Sequence, residues 1–194
     1  MDIAKRAIDA GAESAFVVLG KAKELEAQGK KIIHLEIGEP DFVTPLHIRE
    51  AAIEALRKGE THYTPTPGLP ELRESIAKKT KQDLGIDLNW RENVLVTVGA
   101  KEGVFAALAS VLEQGDEVIL PNPGYPAYQG ATKFFHGRPV SVKLREGNEF
   151  RMTAQEVSKL ITGKTKAIVL NSPENPTGSV LTKEDVKGIT ELAR

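Results

Sequence analysis

Glu117-Val118-Ile119-Leu120-Pro121-Asn122-Pro123-Gly124-Tyr125-Pro126 is the stretch whose reading decides the fold. Its first four residues are a short strand-forming run, and the six that follow are turn formers in which Pro121, Pro123 and Pro126 restrict the backbone. Comparable runs stand at 94–98, 139–144 and 167–170, and stretches with helical spacing separate them. Short strands that alternate with helices predict an α/β fold, a largely parallel sheet with helices on both faces. Thr153 with Glu156 resembles a capping box before one of these helices, and Thr182 with Asp185 resembles another.

Ligands of open α/β sheets bind beyond the carboxyl ends of the strands, so the segments after each strand carry the candidate chemistry. Three are unusual, and they are predicted to converge on one sheet edge. Val98 runs into Gly99-Ala100-Lys101-Glu102-Gly103, a small-residue turn that suits either a phosphate at a helix start or a tight strand-to-helix connection. Leu120 runs into the loop of Tyr125, whose ring is a rigid stacking surface or an ordinary turn tyrosine. Leu170 runs into Asn171-Ser172-Pro173-Glu174-Asn175-Pro176-Thr177-Gly178, where Asn175 holds a hydrogen bond in fixed geometry or merely shapes an Asn-Pro turn.

The amino-terminal part reads differently. Residues 13–28 favour helix and Gly29 ends it; Ile33, Leu35 and Ile37 alternate like a strand. Thr44-Pro45 reads as a cap and first turn for a helix with Ile48, Ala52, Ala55 and Leu56 on one face, closed by Gly59. A second helix opens at Pro70, carries Leu72 and Ile76 on one face and ends near Leu84-Gly85. Between them Tyr63-Thr64-Pro65-Thr66-Pro67-Gly68 is all turn chemistry. The change of pattern sets a boundary near 89–92, with an arm and helices before it and the α/β layers after it.

Composition narrows the function. The chain has 194 residues, 40% of them hydrophobic and 27% charged, enough for one large core. Its 26 basic and 27 acidic side chains nearly cancel, so no global field favours nucleic acid or a membrane surface, and the expected partner is a small molecule or another protein. The absence of cysteine excludes disulfides, thiolate metal sites and thiol nucleophiles, and a cytoplasmic setting fits. The apolar run 15–19 is too short to span a bilayer and reads as part of a packing helix.

Several motifs in one order resemble a known family. Gly38-Glu39-Pro40-Asp41-Phe42 with Thr44-Pro45, then Tyr63-Thr64-Pro65 with Gly68-Leu69-Pro70-Glu71-Leu72-Arg73, then Asn171-Ser172-Pro173 with Asn175-Pro176-Thr177-Gly178, are similar to class I and II aminotransferases, pyridoxal 5′-phosphate enzymes of fold type I. The resemblance covers essentially the whole chain. It implies an arm and small-domain contribution in residues 1–45 and part of the large cofactor-binding α/β domain in 46–194. It further implies that backbone groups of Gly99, Ala100 and Lys101 hold the cofactor phosphate, that Tyr125 stacks on the pyridine ring and that Asn175 bonds its 3′ oxygen. Tyr63 would reach the cofactor of the other subunit in a homodimer. Gly38, with Asn175, would lie near the substrate. The substrates implied are an amino acid and a 2-oxo acid.

One departure is the phosphate turn, which has no hydroxyl residue at 99, 100 or 101. The family's catalytic lysine, the acid that pairs with the pyridine nitrogen and the arginine that grips the substrate carboxylate all lie beyond the asparagine motif, so no catalytic residue is expected in this chain. Lys101 belongs to the phosphate turn, Lys164 and Lys166 flank a strand start, and Lys183 and Lys187 read as part of a final solvated helix. Gly163-Lys164-Thr165 lacks the glycine that a phosphate loop needs where Ser158 stands. Three readings compete: part of an aminotransferase cut mid-fold, a truncated non-catalytic α/β protein that binds a phosphate ligand or a partner, and a lyase or synthase of the same fold.

Overall fold

The computed structural model describes residues 2–11 and 14–194. In chain order the elements are helices α1 (Lys5–Ala10), α2 (Ser14–Ala27), α3 (Leu46–Arg57), α4 (Pro70–Leu84), α5 (Trp90–Asn93) and α6 (Gly99–Val111), strand β1 (Glu117–Asn122), α7 (Pro126–Phe134), β2 (Arg138–Lys143), a 3-10 turn (Glu146–Asn148), α8 (Ala154–Ser158), β3 (Thr165–Ile168) and α9 (Lys183–Leu192). They form two compact units, one of Met1–Glu36 with Lys101–Arg194 and one of Ile37–Ala100.

The first unit holds the sheet. Its three strands are parallel in the order β2-β1-β3, as the alternation predicts. Successive residues of a strand face opposite ways, and the central strand β1 uses this fully. Val118 and Leu120 join Leu108, Leu112 and Ala131 in a cluster under α6 and α7. Ile119 joins Val142, Leu144, Met152, Val157 and Ile189 in a second cluster under α8 and α9. Helices therefore cover both faces, each fully buried aliphatic side chain contributing about 1.5–3 kcal/mol. At the amino edge, buried Glu117 is bound by the Arg138 guanidinium and accepts a hydrogen bond from the Thr162 hydroxyl at 2.7 Å. These bonds hold its carboxyl below the usual range, and they tie the starts of all three strands together.

Helix α9 has the complete capping box expected from Thr182 and Asp185. It is not solvated all round, because Ile189 is buried in the core and Asp185 accepts from Arg151 at 2.6 Å; Lys183, Glu184, Lys187, Thr190 and Glu191 meet solvent as expected. At α8 the Thr153 hydroxyl caps the helix by accepting from the Glu156 backbone N–H.

The amino-terminal expectations fare unevenly. Helix α2 is present, but Phe16, Val17 and Val18 of its apolar run are exposed and Ala22 supplies its buried contact; Glu13, the expected start, lies outside the described residues. Residues 33–37 and 94–98 form no strand, and the chain bends at Glu36 and at Val98. Alternation reports a residue preference, and a strand also needs a neighbour to complete its backbone hydrogen bonds. Helix α3 begins after Pro45 with no side-chain cap, so Thr44 does not serve as one, and no residue of that helix is buried.

Helix α4 keeps both expected boundaries, Pro70 in its first turn and left-handed Gly85 after it. Its inward residues are Arg73 and Ala77, while Leu72 and Ile76 stay largely exposed. Arg73 turns inward because its guanidinium satisfies two carbonyls at the end of α5, Val94 O from Nε at 2.8 Å and Arg91 O from Nη2 at 2.8 Å, while its Cζ lies 5.3 Å from the Trp90 ring centroid.

Candidate functional site

Within the sheet unit, two loops leave the carboxyl ends of the adjacent parallel strands β1 and β3. The first turns sharply at Gly124, where a Cβ would collide with the Pro121 carbonyl oxygen, and delivers Tyr125 to the start of α7. The Tyr125 ring is half-buried and meets Tyr128 edge to face, centroids 5.5 Å apart and planes at 88°. Lys101, near the start of α6, brings its ammonium to 6.0 Å from the Tyr125 centroid, at the outer range of a cation-π contact. A positive charge and an aromatic face thus share one place.

The second loop is pinned at its neck. The Glu174 N–H donates to the Ser179 carbonyl at 2.8 Å, and the Gly178 N–H donates to the Glu174 carbonyl at 2.7 Å. The Leu181 N–H donates to the Ser172 hydroxyl at 3.0 Å. Asn175 sits on this pinned loop with its side chain exposed. The two loops are neighbours, since the charge of Glu174 contributes to a raised Tyr128 pKa whose first cause is burial.

The Ile37–Ala100 unit carries the remaining residues singled out by sequence. Gly68 has φ +103° and lies against Val96, whose Cγ2 would stand 2.6 Å from any added Cβ. The Val96 N–H donates to the Pro67 carbonyl at 3.0 Å. The Tyr63 loop is therefore docked on the segment that leads into Gly99, with the Tyr63 ring fully exposed. Gly99 has φ +77°, its N–H bonds the Thr97 carbonyl at 2.9 Å, and its own carbonyl accepts from the Thr97 hydroxyl at 2.9 Å. That amide is spent inside the turn, which leaves the Ala100 N–H at the start of α6 without a partner inside the helix. Gly38 is exposed.

The structure thus brings Lys101, Tyr125 and Asn175 to one edge within the sheet unit, and it couples the Tyr63 loop to the approach to Gly99 within the other. Two residues escaped the sequence reading. Arg73 enters the sequence reading only as part of a motif, and only the position of α5 reveals its role. Glu174 enters it likewise, yet it is 7% exposed and burial pushes its pKa up to about 7 against a hydrogen bond from Asn171. Its place between two prolines in a stiff loop was the one available signal.

A parallel sheet covered on both faces by helices, with loops after β1 and β3 at its carboxyl edge, defines an α/β protein of the open-sheet kind. The sequence pattern of the family described as aminotransferase class I and II matches residues 30–194, and the chain belongs to that family. It is 43% identical over 192 residues to an aspartate aminotransferase of Geobacillus stearothermophilus, covering 99% of this chain and 49% of that protein. It is 46% identical over 168 residues to aromatic-amino-acid aminotransferase 2 of Thermococcus litoralis, covering 86% and 43%. Among solved structures, the Thermus thermophilus aspartate aminotransferase with maleate superposes with a TM-score of 0.94 at 38% identity, covering 100% of this chain and 50% of that one. The alanine aminotransferase of Pyrococcus furiosus gives 0.93 at 35%, covering 99% and 49%. The chain spans about half the length of these relatives.

Proposed function

We propose that the protein carrying this chain is a pyridoxal 5′-phosphate-dependent aminotransferase that moves an amino group between an amino acid and a 2-oxo acid, and that residues 1–194 build most of the cofactor's cradle. The observation that carries this reading is the gathering of Lys101, Tyr125 and Asn175 on one sheet edge. The donor set suits the group: helix-start amides for a phosphate, an aromatic face for a pyridine ring and an amide for a ring oxygen. When bound, the cofactor supplies an electron sink for the charge left after the substrate's α-proton departs.

The chain's own residues do the holding. Tyr125 keeps a flat ring in place, Asn175 donates to the 3′ oxygen, and Ala100 and Lys101, next to Gly99, face the phosphate. Tyr63 serves the neighbouring subunit of a homodimer, and Gly38 lies by the substrate carboxylate. In this reading residues 1–45 form the arm and small-domain contribution and residues 46–194 part of the large domain. A cytoplasmic setting belongs to it as well. Among the described residues no helix is long and apolar enough to cross a membrane.

The aminotransferase names of the relatives favour amino transfer over a lyase or synthase outcome. Those names divide among aspartate, aromatic amino acids and alanine, so the proposal stays at the class of substrate. Titrating the full-length protein with pyridoxal phosphate, then assaying transfer from a panel of amino acids to 2-oxo acids, tests it. Saturable binding with transfer is expected, and an absence of binding would refute the proposal.

A further inference from the structure

Beneath the loop of Asn175 lies a narrow cavity, with room for about one water, walled by Phe150, Met152, Leu170 and Leu181 and by the polar groups of Asn171 and Ser179. The Glu174 side chain enters it. That residue is 93% buried, and neither its Oε1 nor the Ser179 hydroxyl has a hydrogen-bond partner. A carboxylate oxygen without a donor among apolar walls is strongly disfavoured, whereas the neutral acid is tolerated. Among the described residues no cation acts on it. The titratable group that faces Glu174 from α7 is Tyr128, and Arg151, beside the cavity wall at Met152, is engaged with Asp185 at 2.6 Å.

The same residue is the neck of the loop, because its N–H and its carbonyl make the two bonds that pin residues 174–179. An ionised side chain is driven from the cavity toward solvent, and any backbone movement that accompanies its exit acts directly on both bonds next to Asn175. We propose that Glu174 is a positioning residue for Asn175: as a neutral acid it keeps the loop closed and the amide aimed, and on giving its proton to solvent it lets the loop open. The ligand side of this inference rests on the cofactor role proposed for Asn175.

Carbon-detected NMR titration of the Glu174 carboxyl, together with the Asn175 side-chain amide and the backbone amides of 174–179, tests the proposal in the full-length protein without cofactor. The expected result is one shared midpoint near neutral pH that disappears from the loop amides in Glu174→Gln. A loop silent to pH in the wild type, or the same transition in the Gln variant, overturns it. Should the variant not fold, the wild-type carboxyl decides alone, with an ordinary acidic midpoint refuting the proposal. Pyridoxal phosphate is the second probe. Its affinity should fall severalfold from about pH 6 to about pH 8 beyond the fall in Glu174→Gln, the cofactor's own titration being common to both. Equal pH dependence in the two proteins overturns the positioning role. No pyridoxal phosphate binding at any pH would instead refute the cofactor reading, while the loop titration still decides the role of Glu174.

Discussion

Asn175 and Glu174 are adjacent in the chain and opposite in environment, one exposed on the loop and the other buried under it. Losing a hydrogen bond to a charged oxygen costs about 1.5–3 kcal/mol, so Asn175→Ala should weaken pyridoxal phosphate binding by roughly ten- to a hundredfold. A fluorescence titration measures it, and unchanged affinity with a destabilised apoprotein would leave Asn175 a turn residue. For Glu174 the folded pKa of about 7 stands above the ordinary value of 4.5. The folded state therefore holds more protons between these values, and stability falls as pH rises through that window by up to about 3 kcal/mol, then levels off. Denaturant unfolding from acid to neutral pH should show this slope in the wild type and not in Glu174→Gln. His34 has the same sign for a different reason. Hydrogen bonds to Glu26 at 2.9 Å and to Glu36 at 2.6 Å raise its pKa above 6.5, so its stabilising charge is present below that value and lost as pH rises through the raised one. Being exposed, the cluster is screened by salt, and the proton NMR midpoint of His34 should drop toward 6.5 as salt is added.

Elements were legible in the sequence where local chemistry decides them. Pro70 and Gly85 bound α4, Thr182 and Asp185 start α9, and the run from Glu117 breaks into the Tyr125 loop, because caps, prolines and left-handed glycines act within a few residues. Pairing and burial depend on distant neighbours, and there the sequence was silent. Residues 94–98 are a strand-forming run that pairs with no strand among the described residues, and α4 buries Arg73 in place of Leu72 because the carbonyls of Arg91 and Val94 await a donor. The site was legible in part for the same reason. Its loops follow strands and could be located, while the burial of Glu174 depends on walls as distant in sequence as Leu144 and Met152. At this scale Gly68→Ala should cost about 1–3 kcal/mol, since a Cβ would strain φ +103° and press on Val96. Thermal unfolding with limited proteolysis of the 63–68 loop checks this, and an unaffected loop would mean that the Gly68 contact does not hold it.

The whole molecule divides into a sheet unit built on β1 and a helical unit that carries the Tyr63 loop. The homodimer proposed from the family resemblance gives exposed Tyr63 its role, and a full-length monomer that stays fully active at high dilution would contradict it. The central claim is that residues 1–194 hold the cofactor but supply no catalytic lysine. Lys101 is exposed with its ammonium 6.0 Å from the Tyr125 ring centroid, and Lys164, Lys183 and Lys187 are exposed, so none sits in a buried apolar pocket of the kind that activates an amine. The most direct measurement is borohydride reduction of the protein with pyridoxal phosphate, followed by peptide mapping of the labelled lysine. The expected result is no stoichiometric label on any lysine of residues 1–194 and no turnover by this chain alone; a single stoichiometric label on one of these lysines, with turnover, would contradict the claim.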